Sequence, residues 1–505
     1  MTTPDVAVVP LLDGQPERRL HPMSWLFVLI QQLKQFIVPI LALFLFGRGD
    51  RNDLWGLVAI CILAVVSIWQ YYTYRFRIGV DSLEIRSGLL ERSLRQIPFA
   101  RIHNVGLHQT LLHRIFGVAE VRLESAGGIK PEAEMRVLKL QDALALEALV
   151  RRRGRADAAA AMAAAAPATP EFELLHSLST AEVVRVGLIS NRGLIVVGGA
   201  YLAMNQFGAD MTSELIESWG RALFGMVDSY GRGHEVAATM FLILLFLTLL
   251  RAFSVLIALL QYSGFRLEEH GRRLTLERGL LTRIRTSTPR RRIQSWTLRE
   301  GMLHRLFRRR TLEVGTAVLD NGSHSQPRSL REIAPVATPQ RCDELIRHLA
   351  PQVQWPPQTW HRLHRWTFAR LLVPQMIWTS VLGMIALLSF GPLGLVFVAL
   401  WVPWIAYIIW QHATHAGYAI DEHMVATRRG WWTREWRFAE IGKLQAIRFG
   451  QSPLERRLGM ATLLLDTAGG NALAEPLRLN FLPEAEARAL QARLAREIAR
   501  NTLRW

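Results

Sequence analysis

Arginine is the residue type with which this chain can do most. Of its 60 basic side chains only four are lysines, Lys34, Lys130, Lys139 and Lys443, against 42 acids, giving a net charge of +18. The guanidinium is a planar fork that grips phosphate or carboxylate oxygens in pairs. Three runs concentrate it: Arg290, Arg291 and Arg292; Arg308, Arg309 and Arg310; and Arg151, Arg152, Arg153 and Arg155. Phosphate in lipid headgroups is one ligand such clusters fit. Generic attraction to an anionic bilayer, about 1 kcal/mol per basic residue near the surface, explains the same charge, as does codon bias with a need for cationic loops. No nucleic-acid-binding motif accompanies the arginines, so nucleic acid is not expected as a partner.

Other reactive residues are sparse. His361 and His364 share HxxH spacing with His412 and His415, and a helical hairpin between the pairs would bring four imidazoles to one interface. A Leu-His pair recurs at Leu20-His21, Leu175-His176 and Leu363-His364, which accounts for His364 without a metal. Arg251 interrupts an apolar run; an intramembrane charge suggests function, but a long side chain can also reach back to the interface. The two cysteines, Cys61 and Cys342, make no disulfide framework. No phosphate loop, hydrolase elbow or zinc-protease motif is present. No catalytic residue, cofactor or metal is expected, and no enzyme.

Half the residues are hydrophobic although 20% are charged, and mean hydropathy is +0.15. Apolar residues must therefore be segregated from charged ones. Six apolar stretches come in three pairs: 25–46 with 54–72, 186–207 with 236–262, and 368–390 with 393–410. Each is near the ~20 residues a helix needs to cross a bilayer. Gln31, Gln32, Lys34 and Gln35 break up the first, whose opening half reads as an amphipathic approach along the surface. Loops 47–53 and 206–235 and the Gly391–Gly394 turn hold four of the 60 basic residues. The positive-inside rule then puts both termini and all large segments in the cytoplasm of a multi-pass inner-membrane protein. The N-terminus lacks the order of a cleavable signal, so Met1 is expected to be retained.

The segment after each apolar pair repeats. Anchored on Gly88, Gly279 and Gly430, the three copies align without gaps for almost forty residues. Arg101, Arg292 and Lys443 correspond, as do Val105, Trp296 and Ile447; Leu112, Leu303 and Leu454; and Arg114, Arg305 and Arg456. Gly117 and Gly459 match Arg308, where the second copy's turn is expected to differ. The unit is a Leu-His lead-in, a helical hairpin, then a domain. Strands are expected at 76–85 around an Asp81-Ser82 turn, with a longer turn (268–273) in copy two, and at 95–105 and 118–124. A short helix is expected at 112–117, 303–308 and 454–459, and closing helices at 142–152, 340–349 and 483–500. The resulting boundaries are hairpins at 20–73, 174–262 and 361–412, domains at 74–155, 263–350 and 413–505, and linkers at 156–170 and 351–360.

Hairpins succeeded by strands carrying Gly88-Leu89-Leu90, Ile102, Leu112, Arg114 and Gly117, with their partners in the other copies, resemble the bacterial PH-domain family, also called membrane-flanked domains. The three-copy arrangement is similar to YdbT-type members. The resemblance implies PH-like β-sandwiches or barrels capped by a helix, and six transmembrane helices as three hairpins. It names no reaction. The expected function is a non-enzymatic membrane scaffold binding lipid headgroups, peptide or a partner membrane protein, a smaller one of the same family being implied. A transport or export component is the alternative. The candidate lipid- or partner-binding residues are Arg101, Arg114, Arg290, Arg291, Arg292, Arg305, Arg308, Arg309, Arg310, Lys443 and Arg456.

Overall fold

The computed structural model describes residues 18–30, 62–125, 133–159, 172–199, 218, 233–316, 331–467 and 476–500, less one to four residues at a time within 18–30, 62–125 and 172–199. The first domain has an antiparallel sheet of β1 (Arg18–Arg19), β2 (Arg75–Ile78), β3 (Ser82–Ser87) and β4 (Ser93–Pro98). Its second half is β5 (Ile102–Gln109), a short helix α1 (Leu111–Ile115), β6 (Val118–Ser125), β7 (Ala133–Lys139) and the closing helix α2 (Leu140–Ala159). Alternation along β2 sends Phe76 and Ile78 inward, where they meet Leu83, Ile97, Val121, Met135 and Leu146 in one core between the half-sheets and the helix.

The second domain repeats this: β8 (Phe172–Ser177), helices α3 (Thr180–Ile189) and α4 (Gly233–Tyr262), then β9 (Arg266–His270), β10 (Arg273–Arg278) and β11 (Arg283–Pro289). Next come β12 (Ile293–Glu300), α5 (Met302–Leu306), β13 (Arg310–Thr316), β14 (Glu332–Ala337) and α6 (Pro339–Leu349). The third has β15 (His361–Arg362), α7 (Thr367–Phe390), α8 (Leu393–His415), β16 (Gly417–Ile420), β17 (Met424–Arg429) and β18 (Arg434–Glu440). It ends with β19 (Leu444–Gly450), α9 (Pro453–Arg457), β20 (Met460–Thr467), β21 (Leu477–Pro483) and α10 (Glu484–Arg500). One bulge recurs at the same place in all three copies, between Ile102 and Asn104, Ile293 and Ser295, and Leu444 and Ala446.

The domains are fused edge to edge. The sheet orders are β1-β2-β3-β4, β7-β6-β5-β11-β10-β9-β8, β14-β13-β12-β18-β17-β16-β15 and β19-β20-β21. The second half-sheet of each domain therefore continues into the first half-sheet of the next. Val105 pairs with Ser287 and Gln109 with Arg283 at the first joint. Trp296 pairs with Phe438 and Glu300 with Arg434 at the second. In repeat coordinates the two registers are the same.

Among the described residues three helices, not the expected six, are long and apolar enough to cross a membrane: Thr239–Tyr262, Thr367–Phe390 and Leu393–His415. They cover the expected fourth, fifth and sixth spans. The first two expected spans lie almost entirely outside the described residues. The third, 186–207, is not one helix at its start: α3 ends at Ile189, Ser190 and Asn191 break it, and a new helical run starts at Arg192. Val183, Val186 and Ile189 of α3 are buried in the second domain's core instead. Periodicity of apolar residues cannot separate a domain helix from a span that directly succeeds it.

Other expectations shift locally. The segment 95–105 is two strands, β4 and β5, in different sheets. The copy-two turn is tight, not long: His270 pairs with Arg273 across Gly271, whose φ is +62°. Pro483 closes β21 rather than opening the last helix. Arg308 takes the same left-handed turn as its glycine counterparts, φ +51° against +62° at Gly117 and +66° at Gly459. The lead-in segments belong to the sheets: β1, β8 and β15 pair with β2, β9 and β16, so the apolar segments, among them α7 and α8, are insertions between the first two strands of each domain.

Candidate functional site at the joints and the membrane-proximal floor

Strand direction fixes which end of each domain meets the membrane. Helix α4 ends at Tyr262, and the Gly279 turn returns to it: Gly279 N–H donates to Ser263 O and Leu280 N–H to Leu260 O at 2.9 Å each. The turn needs glycine; φ is +111° and a Cβ there would strike the Thr282 carbonyl, as one at Gly430 would strike that of Thr433. In the third domain the equivalent turn carries Trp431, packed edge-on against Tyr407 of α8 at 5.8 Å. Helices α1, α5 and α9 sit at this end too, because β5, β12 and β19 run toward it.

This end forms a floor of exposed apolar side chains. Ile115 and Leu306 are each 74% exposed and Trp432 53%, with Phe116, Leu280 and Met302 also exposed beside them. Arg308 is exposed on the same floor. Apolar side chains rimmed by arginine suit a bilayer interface.

The repeated arginine is a joint residue. Arg114 Nη1 donates to Leu280 O at 3.0 Å, across the first joint. Arg305 Nη2 donates to Trp431 O at 3.3 Å and Trp432 O at 2.6 Å, across the second. Each ties the short helix of one domain to the glycine turn of the next through a charge-assisted bond to turn carbonyls. Arg456, the third copy of this arginine, is exposed on α9. The two joints differ in what else holds them. At the second, Trp296 stacks on Phe438 at 5.9 Å and Trp355 on Phe438 at 4.6 Å, merging two domains into one core. The first joint has a long Arg285–Glu147 ion pair, 3.9 Å, between separate cores.

The remaining candidate arginines disperse. The triplet Arg290–Arg292, expected near the membrane, lies instead at the opposite end of the sheet, about 20 Å away along the seven residues of β11. Arg290 clamps α6: its Nε donates to Leu349 O at 2.6 Å, Nη2 to His348 O, and Nη1 pairs with Glu269 at 3.3 Å. Arg292 is buried; burial, then Arg291 and Arg273, push its pKa down to about 10. Arg309 donates to Arg308 O at 3.2 Å. Arg310 pairs with Glu300 at 2.7 Å and lies over Trp436 of the next domain at 4.8 Å. Lys443 pairs with Glu440 at 2.6 Å. Arg101 lies outside the described residues, and so do the side chains of 151–155, through which α2 runs.

The charges near the spans are anchored, not free. Arg251 Nη1 donates to Leu188 O, Ser190 O and Asn191 Oδ1 at 3.1–3.3 Å, satisfying the carbonyls at the end of α3. Arg370 reaches Glu455 of α9 at 3.6 Å. Arg192 and Arg278 flank Glu332 at 3.2 and 3.0 Å, with Tyr262 donating to the same carboxylate. Burial pushes that carboxyl up, but Arg278, Arg192 and the tyrosine bond outweigh it and hold it below the usual range. Lys34 lies outside the described residues.

The histidines have structural roles. His21 Nδ1 accepts from Met23 N–H at 3.4 Å and His364 Nδ1 from Trp366 N–H at 3.3 Å, capping the start of each hairpin. In copy two Ser179 takes that role through a capping box with Glu182, and His176 is buried beside Phe265. His361 stacks on Tyr418, and His415 Nδ1 contacts Gln411 O. The four histidines at 361, 364, 412 and 415 do not meet as a ligand set among the described residues. Glu173, Glu269 and His348 do come together, but His348 Nε2 and Arg290 already engage Glu269.

Three repeats of a two-sheet domain with a closing helix and a hairpin in the first sheet define the class. The bacterial PH domain is matched at residues 28–154, 222–350 and 370–498, and the chain belongs to that family. It is similar to the UPF0699 transmembrane protein YdbT of Bacillus subtilis (strain 168), with 22% identity over 401 residues, 76% of this chain and 79% of that protein. No solved structure matches.

Proposed function

We propose that this protein is a non-enzymatic scaffold of the bacterial inner membrane. Its three PH-like domains lie on the cytoplasmic face, each carried by a two-span hairpin, and bind lipid headgroups, peptide or a partner membrane protein, a smaller family member among the candidates. The observation that carries the reading is the floor: exposed Ile115, Leu306 and Trp432 beside Arg308, at the end of the domains where the spans attach. An apolar stripe with basic neighbours enters the headgroup layer with its side chains down and its charges on phosphate. The transport alternative calls for polar groups facing a path. Arg192, Arg251 and Arg370 are tied to the domains instead.

The test places an environment-sensitive probe at Ile115→Cys or Leu306→Cys, with Cys61 and Cys342 replaced, in nanodiscs containing nitroxide-labelled lipid. Both probes are expected to be quenched, while one at Arg291→Cys on the far end is not. Equal emission and no quenching at all three positions would remove the floor from the membrane and with it this reading.

A further inference from the structure

Among the described residues, two strand edges are left over by the rule that joins the domains. At both joints, the fourth strand of one domain pairs with the fifth strand of the domain before it: β11 with β5, β18 with β12. The fourth strand of the first domain, β4, ends its sheet, and so does the fifth strand of the third domain, β19. The first domain thus presents the socket and the third domain the plug of the same joint.

The side chains differ in exposure from their counterparts inside the joints. Ser93, Leu94, Arg95 and Gln96 of β4 are all exposed, Leu94 at 61%. Ser287 and Phe438, the counterparts of Gln96, are buried inside the joints. Arg448 of β19 is exposed, where Gly106 and Thr297 at the same repeat position are buried. A bare strand edge is a template for further pairing. Neither β4 nor β19 has a central proline; Pro98 stands at the end of β4. Arg456 is the third copy of the clamp that Arg114 and Arg305 close on the next domain.

We infer that β19 of one chain pairs with β4 of a second copy, extending the internal joint head to tail between molecules. The internal register predicts the pairing: Ile447 opposite Gln96, Arg448 opposite Arg95, Phe449 opposite Leu94 and Gly450 opposite Ser93. Phe449 covers the exposed Leu94. Each hairpin leaves its domain between the same two strands, so repeating the joint keeps every span on one side. The contact is heterologous and propagates unless it closes into a ring. Arg95 facing Arg448 is its one like-charge pair and weakens it. The inference does not depend on what the floor binds.

The test is disulfide crosslinking in membranes, with Cys61 and Cys342 replaced and two differently tagged chains co-expressed. One carries Gln96→Cys, the other Ile447→Cys; directly opposed Cβ atoms are within disulfide reach. A product containing both tags is expected, and none from Ser93→Cys with Ile447→Cys, which are out of register. Arg95→Glu should raise the yield several-fold. A Gln109→Cys/Arg283→Cys chain, crosslinking internally at the first joint, reports that the domains are folded. With that control positive, no intermolecular product overturns the inference. So does a chain carrying both Gln96→Cys and Ile447→Cys that crosslinks only within itself.

Discussion

At the scale of single residues, backbone conformation and the arginine clamps make the sharpest predictions. Arg308 holds a left-handed turn, φ +51°, that its counterparts hold with glycine. A side chain there costs about 1–2 kcal/mol, partly offset by the entropy a glycine loses on folding. Arg308→Gly is therefore expected to stabilise the second domain by about 0.5–1 kcal/mol, read as a shift in its denaturant midpoint; an unchanged or lowered midpoint would count against the strain. Arg305→Ala removes charge-assisted bonds to Trp431 and Trp432 carbonyls and should cost about 1–2 kcal/mol. Faster hydrogen exchange around the 430–434 turn, with β13 and β14 unchanged, would show that the loss is local to the joint.

At the scale of elements, helix α3 packs on α4 through glycine. A Cβ on Gly187 would strike the Val255 backbone, and one on Gly193 would lie 2.6 Å from Leu250 O. Gly187→Ala should destabilise the pair by about 1–3 kcal/mol through overpacking, with detergent-solubilised protein melting earlier. Acid should loosen the second domain in two stages. His176 and His304 have pKa values lowered chiefly by burial, so the stability they confer is full above about pH 6.5 and falls as pH drops through their folded values. Burial raises the Glu332 pKa, but Arg278 and Arg192 hold it low; its contribution is present above about pH 4.5 and is lost below that. A denaturation midpoint flat from pH 7 to pH 4 would contradict the first stage. These elements also mark how far the sequence could be read. The repeats, short helices and closing helices were legible because glycine turns and helical patterns are local. The joints were not, since edge pairing leaves no local pattern. The recurrence of Arg114, Arg305 and Arg456 was the one signal, and it identified positions without saying that the first two face the next domain. Distance from the membrane was likewise hidden for Arg290–Arg292, because it is set by strand direction rather than by composition.

At the scale of the whole molecule, the two joints predict unequal mechanical units. Trp296 and Phe438 share one core across the second joint, whereas separate cores meet at the first. Trp296→Ala is expected to cost about 3–5 kcal/mol and to raise hydrogen exchange in both the second and third domains. Leu123→Ala, inside the first core, should raise it in the first domain alone. Equal spread from both substitutions would mean that the three domains unfold as one.

Because helices α7 and α8 are inserted between the first two strands of the third domain, the order of synthesis imposes a wait. When β15 leaves the ribosome, its neighbour β16 is still two apolar helices away, and it can be paired only after those helices have been threaded into the bilayer. The second half-sheet of each early domain waits longer still, for the first half-sheet of the next. Membrane insertion thus becomes a checkpoint for the domains: a hairpin that fails to integrate leaves strand edges bare for chaperones and proteases to find.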